Sequence, residues 1–309
     1  MPSSAISENL PDELNMEISY YPGCTVKTKG KGFEESALAA LDALGVKLVE
    51  LPNWNCCGTV FSLATDDLVH HLAPLRNLIR VKEQGANRVT TLCAMCYNTL
   101  KRANLLIRED ADRQDKISNF MDDEQTKYSG EVEIIHLLEV LRDEIGYEKL
   151  KEKITHPLSG LKVVPYYGCM LLRPSEIGVD SMEEPSIMED LLQVLGAEVI
   201  HEPMRTECCG SYHTVNASDA VVDRVFAILS SAQRRGGEVV VLSCPLCEFN
   251  LDHRQKGVIK KYVGFKQMPV LYFTQLLALS LGLGAETCRF DLHYVDPIPL
   301  LKERGIIRG

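Results

Sequence analysis

Several common classes of protein are excluded by what this 309-residue chain has little of. Its 33 basic residues are outnumbered by 43 acidic ones, giving a net charge of −10, and no dense Lys/Arg run is present to neutralise a row of phosphates. Nucleic acid is therefore not an expected partner. The longest apolar run, Val270 to Leu283, is too short to span a bilayer and is interrupted by Thr274 and Gln275. Residues 1–15 lack a cationic stretch followed by an apolar one, so they read as a flexible N-terminal tail rather than a signal peptide. There is one tryptophan, Trp54, no G-x-G-x-x-G run for a dinucleotide and no C-x2-C-x2-C-x3-C-P run for ferredoxin-type clusters. These absences point to a cytoplasmic protein with no membrane span, whose electrons, if it is a redox protein, come from other subunits.

Cysteine is what the chain does have, at eleven residues. A chain of this length does not need disulfide staples, and an odd count cannot pair completely, so the cysteines point to metal or redox chemistry. Their order repeats. The first half reads Tyr20-Tyr21-Pro22-Gly23-Cys24, then Cys56-Cys57-Gly58, then Cys93-Ala94-Met95-Cys96. The second reads Tyr166-Tyr167-Gly168-Cys169, then Cys208-Cys209-Gly210, then Cys244-Pro245-Leu246-Cys247. The spacing from Cys24 to Cys169 is 145, from Cys56 to Cys208 it is 152, and from Cys93 to Cys244 it is 151. Leu44-Gly45 and Pro52 recur as Leu195-Gly196 and Pro203 at the same 151. One insertion, placed in the loop-forming stretch Arg173 to Pro185, accounts for nearly all the drift, and the chain reads as an internal duplication.

Each half carries the same alternation. Short strands are expected at Glu17–Tyr21 and Leu161–Tyr167, helices at Phe33–Leu44 and Ser186–Leu195, and strands again at Lys47–Leu51 and Glu198–His201. Long helices follow at Asp66–Gln84, with Pro74 as a kink, and at Ala217–Arg235. The β-branched strands Arg88–Leu92 and Glu238–Ser243 run into the two C-x-x-C pairs. Val132–Leu141 and Val270–Leu279 each turn a short strand into a closing helix. The charged stretch Arg108–Gly130 reads as a surface excursion docked by Ile117 and Phe120. The expected fold is α/β, two tandem duplicated halves with mostly parallel sheets related by a pseudo-twofold axis, over residues 16–150 and 160–300, with a C-terminal tail at 301–309. In such sheets sites form beyond the carboxyl ends of the strands, where all the cysteine blocks fall.

Clustered thiolates select zinc or iron–sulfur clusters. A closed zinc site takes four ligands, usually two C-x-x-C-like pairs, whereas each half here has one C-x-x-C plus adjacent cysteines that diverge around a single ion. A thioredoxin-like dithiol at either C-x-x-C is the other alternative, and it leaves Cys-Cys-Gly and the upstream cysteine unexplained. Two iron–sulfur clusters account for the residues best.

The ten-cysteine pattern resembles the tandem cysteine-rich CCG domains found in the B-type subunits of heterodisulfide reductase, over about residues 16–300. The resemblance implies that Cys24, Cys56, Cys57, Cys93 and Cys96 hold one noncubane [4Fe-4S] cluster and Cys169, Cys208, Cys209, Cys244 and Cys247 a second. It further implies a catalytic role in reducing a small-molecule disulfide, such as the coenzyme M–coenzyme B heterodisulfide, to two thiols between the two clusters. The implied partners are a C-type subunit with ferredoxin-like [4Fe-4S] clusters and a flavin-containing A-type subunit, often electron-bifurcating and sometimes joined to a hydrogenase, a formate dehydrogenase or another oxidoreductase module. Similar domains serve quinone-linked oxidoreductases, so an electron-relay role without disulfide chemistry is the competing expectation.

Other residues complete the reading. His201, His213 and His253 are candidates to supply protons, against a plain surface role. Trp54 either shields a cluster or packs in the core. Arg173 and Arg254 are candidates to contact an anionic substrate tail, or are salt-bridged surface residues. Gly58 and Gly210 are expected to let backbone approach a cluster and donate N–H groups to its sulfides. Cys288 has no counterpart in the first half and reads as a core thiol.

Overall fold

The computed structural model describes residues 16–59, 68–121 and 126–308. The expected N-terminal tail and residues 66–67 of the expected second helix lie outside them.

The first half runs β1 (Met16–Tyr20), α1 (Lys31–Ala43), β2 (Val46–Glu50), a 3-10 turn (Leu68–His71), α2 (Leu72–Glu83), β3 (Arg88–Thr91), α3 (Ala94–Glu109), α4 (Ala111–Phe120) and β4 (Glu133–His136). It closes with α5 (Leu137–Glu139), a π-helical turn (Val140–Ile145) and α6 (Tyr147–Lys153). The second half runs β5 (Lys162–Tyr166), α7 (Ile187–Val194), β6 (Glu198–Val199), α8 (Ser218–Arg234) and β7 (Val239–Leu242). It continues with α9 (Pro245–Glu248), a π-helical turn (Phe249–His253), α10 (Gln255–Lys261), β8 (Val270–Tyr272), α11 (Phe273–Ser280) and α12 (Ile298–Glu303). All strand pairs are parallel, in two four-stranded sheets ordered β2-β1-β3-β4 and β6-β5-β7-β8. β7 (VVVL) is buried along its whole length, as a strand covered on both faces must be.

Local sequence dictates these elements. In α1 the buried side chains Phe33, Ala37, Ala40 and Leu41 fall on one helical face, and Gly45, at φ +76°, ends the turn. That face meets α11 of the other half. Phe33 stacks on Tyr272 at 4.3 Å and meets Phe273 edge-on, while Ser36 Oγ and Thr274 Oγ1 hydrogen-bond at 2.7 Å. On the other side of the seam α5 meets α7. There Tyr97 donates to Ile177 O (2.8 Å), Asn98 Nδ2 to Met170 O (2.8 Å) and Tyr147 to Ile187 O (2.9 Å). Equivalent elements thus exchange contacts across the seam, as a pseudo-twofold relation requires.

Four expectations change. Pro74 sits in the first turn of α2, where a missing N–H costs nothing, so it follows the 3-10 turn without kinking the helix. The charged stretch after Arg108 contains a helix, α4: Asp110 accepts from Arg113 N (3.0 Å) as its N-cap, and one apolar residue, Ile117, anchors it. Phe120, expected to dock, is 62% exposed. The expected tail at 301–309 begins inside α12, because Leu301 is fully buried and Arg304 pairs with Glu238.

His136 links strand to seam. Its Nε2–H donates to Leu92 O (2.8 Å) and its Nδ1 accepts from Leu138 N (3.2 Å), so both ring nitrogens are committed in the neutral form. Burial, above all, pushes its pKa from 6.5 down to about 3. The folded value lies below the unfolded one, so this contribution is complete above pH 6.5 and drains as pH falls toward 3, by about 1.4 kcal/mol per pH unit. Anaerobic urea unfolding at pH 7 and pH 5 should show a smaller loss of stability for His136→Gln than for the parent chain. Identical losses would contradict the assignment.

Candidate cluster-binding site

A cysteine side chain is short, so five thiols can converge only if five stretches of backbone do. Cys24 follows β1, Cys56 and Cys57 follow β2, and Cys93 caps α3 directly after β3, with Cys96 in its first turn. Because β1 lies between β2 and β3, these segments leave the sheet at the point where strand order reverses. Cys169, Cys208, Cys209, Cys244 and Cys247 follow β5, β6 and β7 in the same way.

The thiols lie in series. In the first half Cys24 Sγ lies 3.6 Å from Cys56 Sγ, and Cys56 and Cys57, Cys57 and Cys96, and Cys96 and Cys93 are near enough to shift one another's titration. In the second half the same holds for Cys169 and Cys208, Cys208 and Cys209, Cys209 and Cys247, and Cys247 and Cys244. Cys93 and Cys244 influence each other electrostatically across the seam, where Ala94 N donates to Ser243 O at 3.1 Å. All ten thiols are thus electrostatic neighbours in one series through both halves. Cys288 stands apart, fully buried, donating to Gln275 O at 3.6 Å with its pKa raised to about 12 by burial.

Crowded thiols must share protons. The neighbouring thiols of Cys169 and Cys209, with the Gly210 N–H at 3.3 Å and Arg224 nearby, push Cys208 down to about 2. Cys56 and then Cys96 lower Cys57, and Cys244 and then Cys96 lower Cys93. Their donors move up: Cys24 through Cys56 and burial, Cys96 through Cys57 and Cys93, and Cys209, facing Cys208, to about 12. Five clustered thiolates, three of them buried in each set, would repel one another strongly. A set that ionises in full needs positive charge at its centre, which an iron–sulfur core supplies, so the donor set fits that group.

The surrounding residues hold the loops. Tyr21 donates to Asn55 O (2.8 Å) and its counterpart Tyr166 to Glu207 O (2.6 Å), pinning the residue before each Cys-Cys pair. α2 and α8 brace the same loops: Asn77 bonds both Asn55 N and Asn55 O at 2.9 Å, and Arg224 Nε donates to Cys208 O at 2.9 Å. Gly23 and Gly168, at φ +76° and +66°, press against the second thiol of each C-x-x-C. A Cβ on Gly23 would lie 2.7 Å from Cys96 Sγ, and one on Gly168 3.2 Å from Cys247 Sγ. Gly58 and Gly210 are also left-handed, but a Cβ there would meet Ala73 and Val221 rather than sulfur. The tyrosines and Gly23/Gly168 were visible in the repeated Tyr-x-Gly-Cys pattern, which carried no hint of what they touch.

The other candidates scatter. Trp54 meets Tyr21 edge-on at 5.9 Å and bonds Glu50 Oε1 at 3.0 Å. His201 bonds Arg205 (3.2 Å) and His213 is exposed. His253 lies with Glu248 and Asp252, their ligand atoms within 4.8 Å of one another. Burial and mutual repulsion raise Glu248 to about 8, and burial raises Asp252 to about 6. Both arginines have protein partners: Arg173 donates to Thr206 O (2.6 Å) and Arg254 to Thr214 Oγ1 (2.9 Å).

A family model for the cysteine-rich domain CCG matches residues 18–101 and 163–252, more than half the chain. The chain belongs to the CCG family, with the domain in tandem. CCG domains imply iron–sulfur clusters. Over 93% of its length the chain is 32% identical to the whole of the 8-methylmenaquinol:fumarate reductase membrane anchor subunit of Wolinella succinogenes. It is 29% identical, over 92% of its length and 96% of the relative, to the B subunit of the ferredoxin/F420H2-dependent CoB-CoM heterodisulfide reductase of Methanosarcina acetivorans. The fold is shared with a hypothetical protein from Helicobacter pylori, at a TM-score of 0.74 and 13% identity, covering 92% of this chain and 52% of that one. Among the described residues no helix is long and apolar enough to cross a membrane.

Gly23→Ala should reduce the iron retained by the first thiol set more than Gly168→Ala reduces that of the second, following the 2.7 Å and 3.2 Å contacts. Iron per chain measured after anaerobic reconstitution of each variant checks this, and equal, parental iron in both would refute it.

Proposed function

We propose that this CCG protein is the disulfide-reducing component of a heterodisulfide-reductase-like complex. The supporting observation is that both five-thiol sets are complete and adjoin one seam, where Ala94 N, next to Cys93, donates to Ser243 O, next to Cys244, at 3.1 Å. In this reading Cys24, Cys56, Cys57, Cys93 and Cys96 hold one noncubane [4Fe-4S] cluster, and Cys169, Cys208, Cys209, Cys244 and Cys247 hold the other. When bound, such clusters supply single electrons and iron sites for sulfur ligands. Breaking R–S–S–R′ into two thiols consumes two electrons and two protons, which suits two equivalent one-electron sites, one for each sulfur.

The chain's own residues would fix those sites. Tyr21 and Tyr166 hold the Cys-Cys loops, Gly23 and Gly168 bring backbone against the C-x-x-C sulfurs, and the α1–α11 packing sets the spacing between halves. Electrons would come from a ferredoxin-like C-type subunit and a flavin-containing A-type subunit. A relay role without disulfide chemistry is favoured by one observation, the 32% identity to a fumarate reductase subunit.

Anaerobic assay of the purified complex separates the two readings. The proposal expects release of two thiols per coenzyme M–coenzyme B disulfide at the expense of an artificial reductant. Absence of turnover with clusters that still reduce would remove the disulfide reading for that substrate and leave the relay.

A further inference from the structure

Two buried carboxylates stand side by side just past the second C-x-x-C pair, in a place the cysteines do not use. Glu248 ends α9 directly after Cys247, and Asp252 and His253 lie in the π-helical turn that follows. A π turn is wider than an α turn, so the residues four and five positions after Glu248 come round to its face. Oxygens of Glu248 and Asp252 and a ring nitrogen of His253 accordingly lie within 4.8 Å of one another. Glu248 and Asp252 are 7% and 0% exposed. The half-buried His253 ring stacks on Phe249 at 5.3 Å and on Tyr294 at 6.1 Å.

A fourth group points at the same place. The His293 side chain is 3% exposed, and its Nδ1 lies 3.9 Å from Glu248 Oε1 with no hydrogen-bond partner among the described residues. Its Nε2 accepts from Gln275 Nε2 at 2.8 Å. That amide is oriented by Tyr272 N, which donates to its oxygen (2.9 Å), and by Cys288 O, which accepts from its nitrogen (2.6 Å). The neutral imidazole therefore carries its proton on Nδ1 and turns an unsatisfied donor toward the carboxylates. A buried donor is normally satisfied, and a hydrated cation beside Glu248 brings the missing acceptor, a water oxygen.

The duplication supports a cation here. At the 151-residue spacing Tyr97, Lys101 and Arg102 are the first-half counterparts of Glu248, Asp252 and His253. There the chain supplies its own positive charge: Lys101 Nζ donates to Tyr97 Oη and lies 4.7 Å from the ring centroid. The second half has two carboxylates and an imidazole instead. Lys256 follows in sequence, but its Nζ sits over the Tyr294 ring, 4.4 Å from the centroid.

We infer that Glu248, Asp252 and His253 ligate a divalent cation of the Mn²⁺ kind, with His293 donating to a water on it. Two hard carboxylates and one imidazole suit such an ion and contrast with the soft thiol sets. An ion with bonds of about 2.1 Å seats its donors roughly 3–4 Å apart, so a small closure of the three side chains completes the site. Asp252 already accepts from Tyr294 N (2.5 Å) and Val295 N (3.0 Å), and each of its oxygens keeps a second lone pair for the metal. The ion would thus clamp the segment at Tyr294 to the turn that follows Cys247. The inference goes beyond the disulfide-reducing reading and does not depend on it.

The test titrates Mn²⁺ into the full chain, loaded with iron and sulfide anaerobically, and follows the six-line EPR signal of the free ion. The parent should take up one Mn²⁺ per chain, and the spin echo of the bound ion should carry the coupling of one imidazole nitrogen. Glu248→Gln and Asp252→Asn should weaken uptake more than about tenfold at parental iron content. His253→Ala should abolish the nitrogen coupling, which a merely structural histidine would not do, and it decides the matter where a carboxylate variant loses iron. No uptake by the iron-replete parent, uptake unchanged in the variants, or bound Mn²⁺ without nitrogen coupling would each overturn the site and leave the disulfide reading as it was.

Discussion

Ten short side chains have to bring their sulfurs together, and most of the architecture serves that requirement. A thiol reaches little farther than its own Cβ, so every ligand needs its backbone close to a common centre. Parallel strands provide this, because their carboxyl ends open on one edge of the sheet and the order β2-β1-β3 leaves a gap there. Glycine supplies the closest approach. At Gly23 any Cβ would collide with Cys96 Sγ, and the left-handed backbone would disfavour a side chain in any case. Tyr21 and Tyr166 reach across to the carbonyls before the Cys-Cys pairs, so the second strand's loop is tied to the first strand's.

Duplication turns one such site into two, and the seam makes them a unit. The pairing is close to symmetric in its packing but not in its polar detail. Ala94 N donates to Ser243 O, while the repeat places Pro245, which has no N–H, opposite Leu92. Leu92 O is satisfied by the buried ring of His136 instead. Tyr272 and Gln275 stand where His136 and Glu139 do, each N3 side chain accepting from the N-cap backbone N–H: Gln275 from Tyr272 N at 2.9 Å and Glu139 from His136 N at 2.7 Å. The two thiol sets therefore sit in related but chemically distinct surroundings.

The strand and helix order was largely legible in the sequence, because β-branched runs and amphipathic stretches recur at the same spacing in both halves. α4 was not, since a single buried residue, Ile117, gives no periodicity, and its Asp110 cap is a short-range signal. Nor was α12, where one leucine and the Arg304–Glu238 pair decide the packing. At the site, the ten cysteines could be read from repetition alone. The roles of Tyr21 and Gly23 could not, because each is defined by a partner distant in sequence. The histidines drew notice for their pKa range, and a position near a ligand in sequence did not translate into a position facing the thiols.

The central claim is that each five-cysteine set binds an iron–sulfur cluster. Iron, zinc and acid-labile sulfide per chain, determined with EPR on protein prepared anaerobically, address it most directly. The account predicts two clusters' worth of iron and sulfide and no stoichiometric zinc, with half of each lost in Cys57→Ala or Cys209→Ala. A zinc-loaded, iron-free chain that still fails to take up iron and sulfide on anaerobic reconstitution would contradict it.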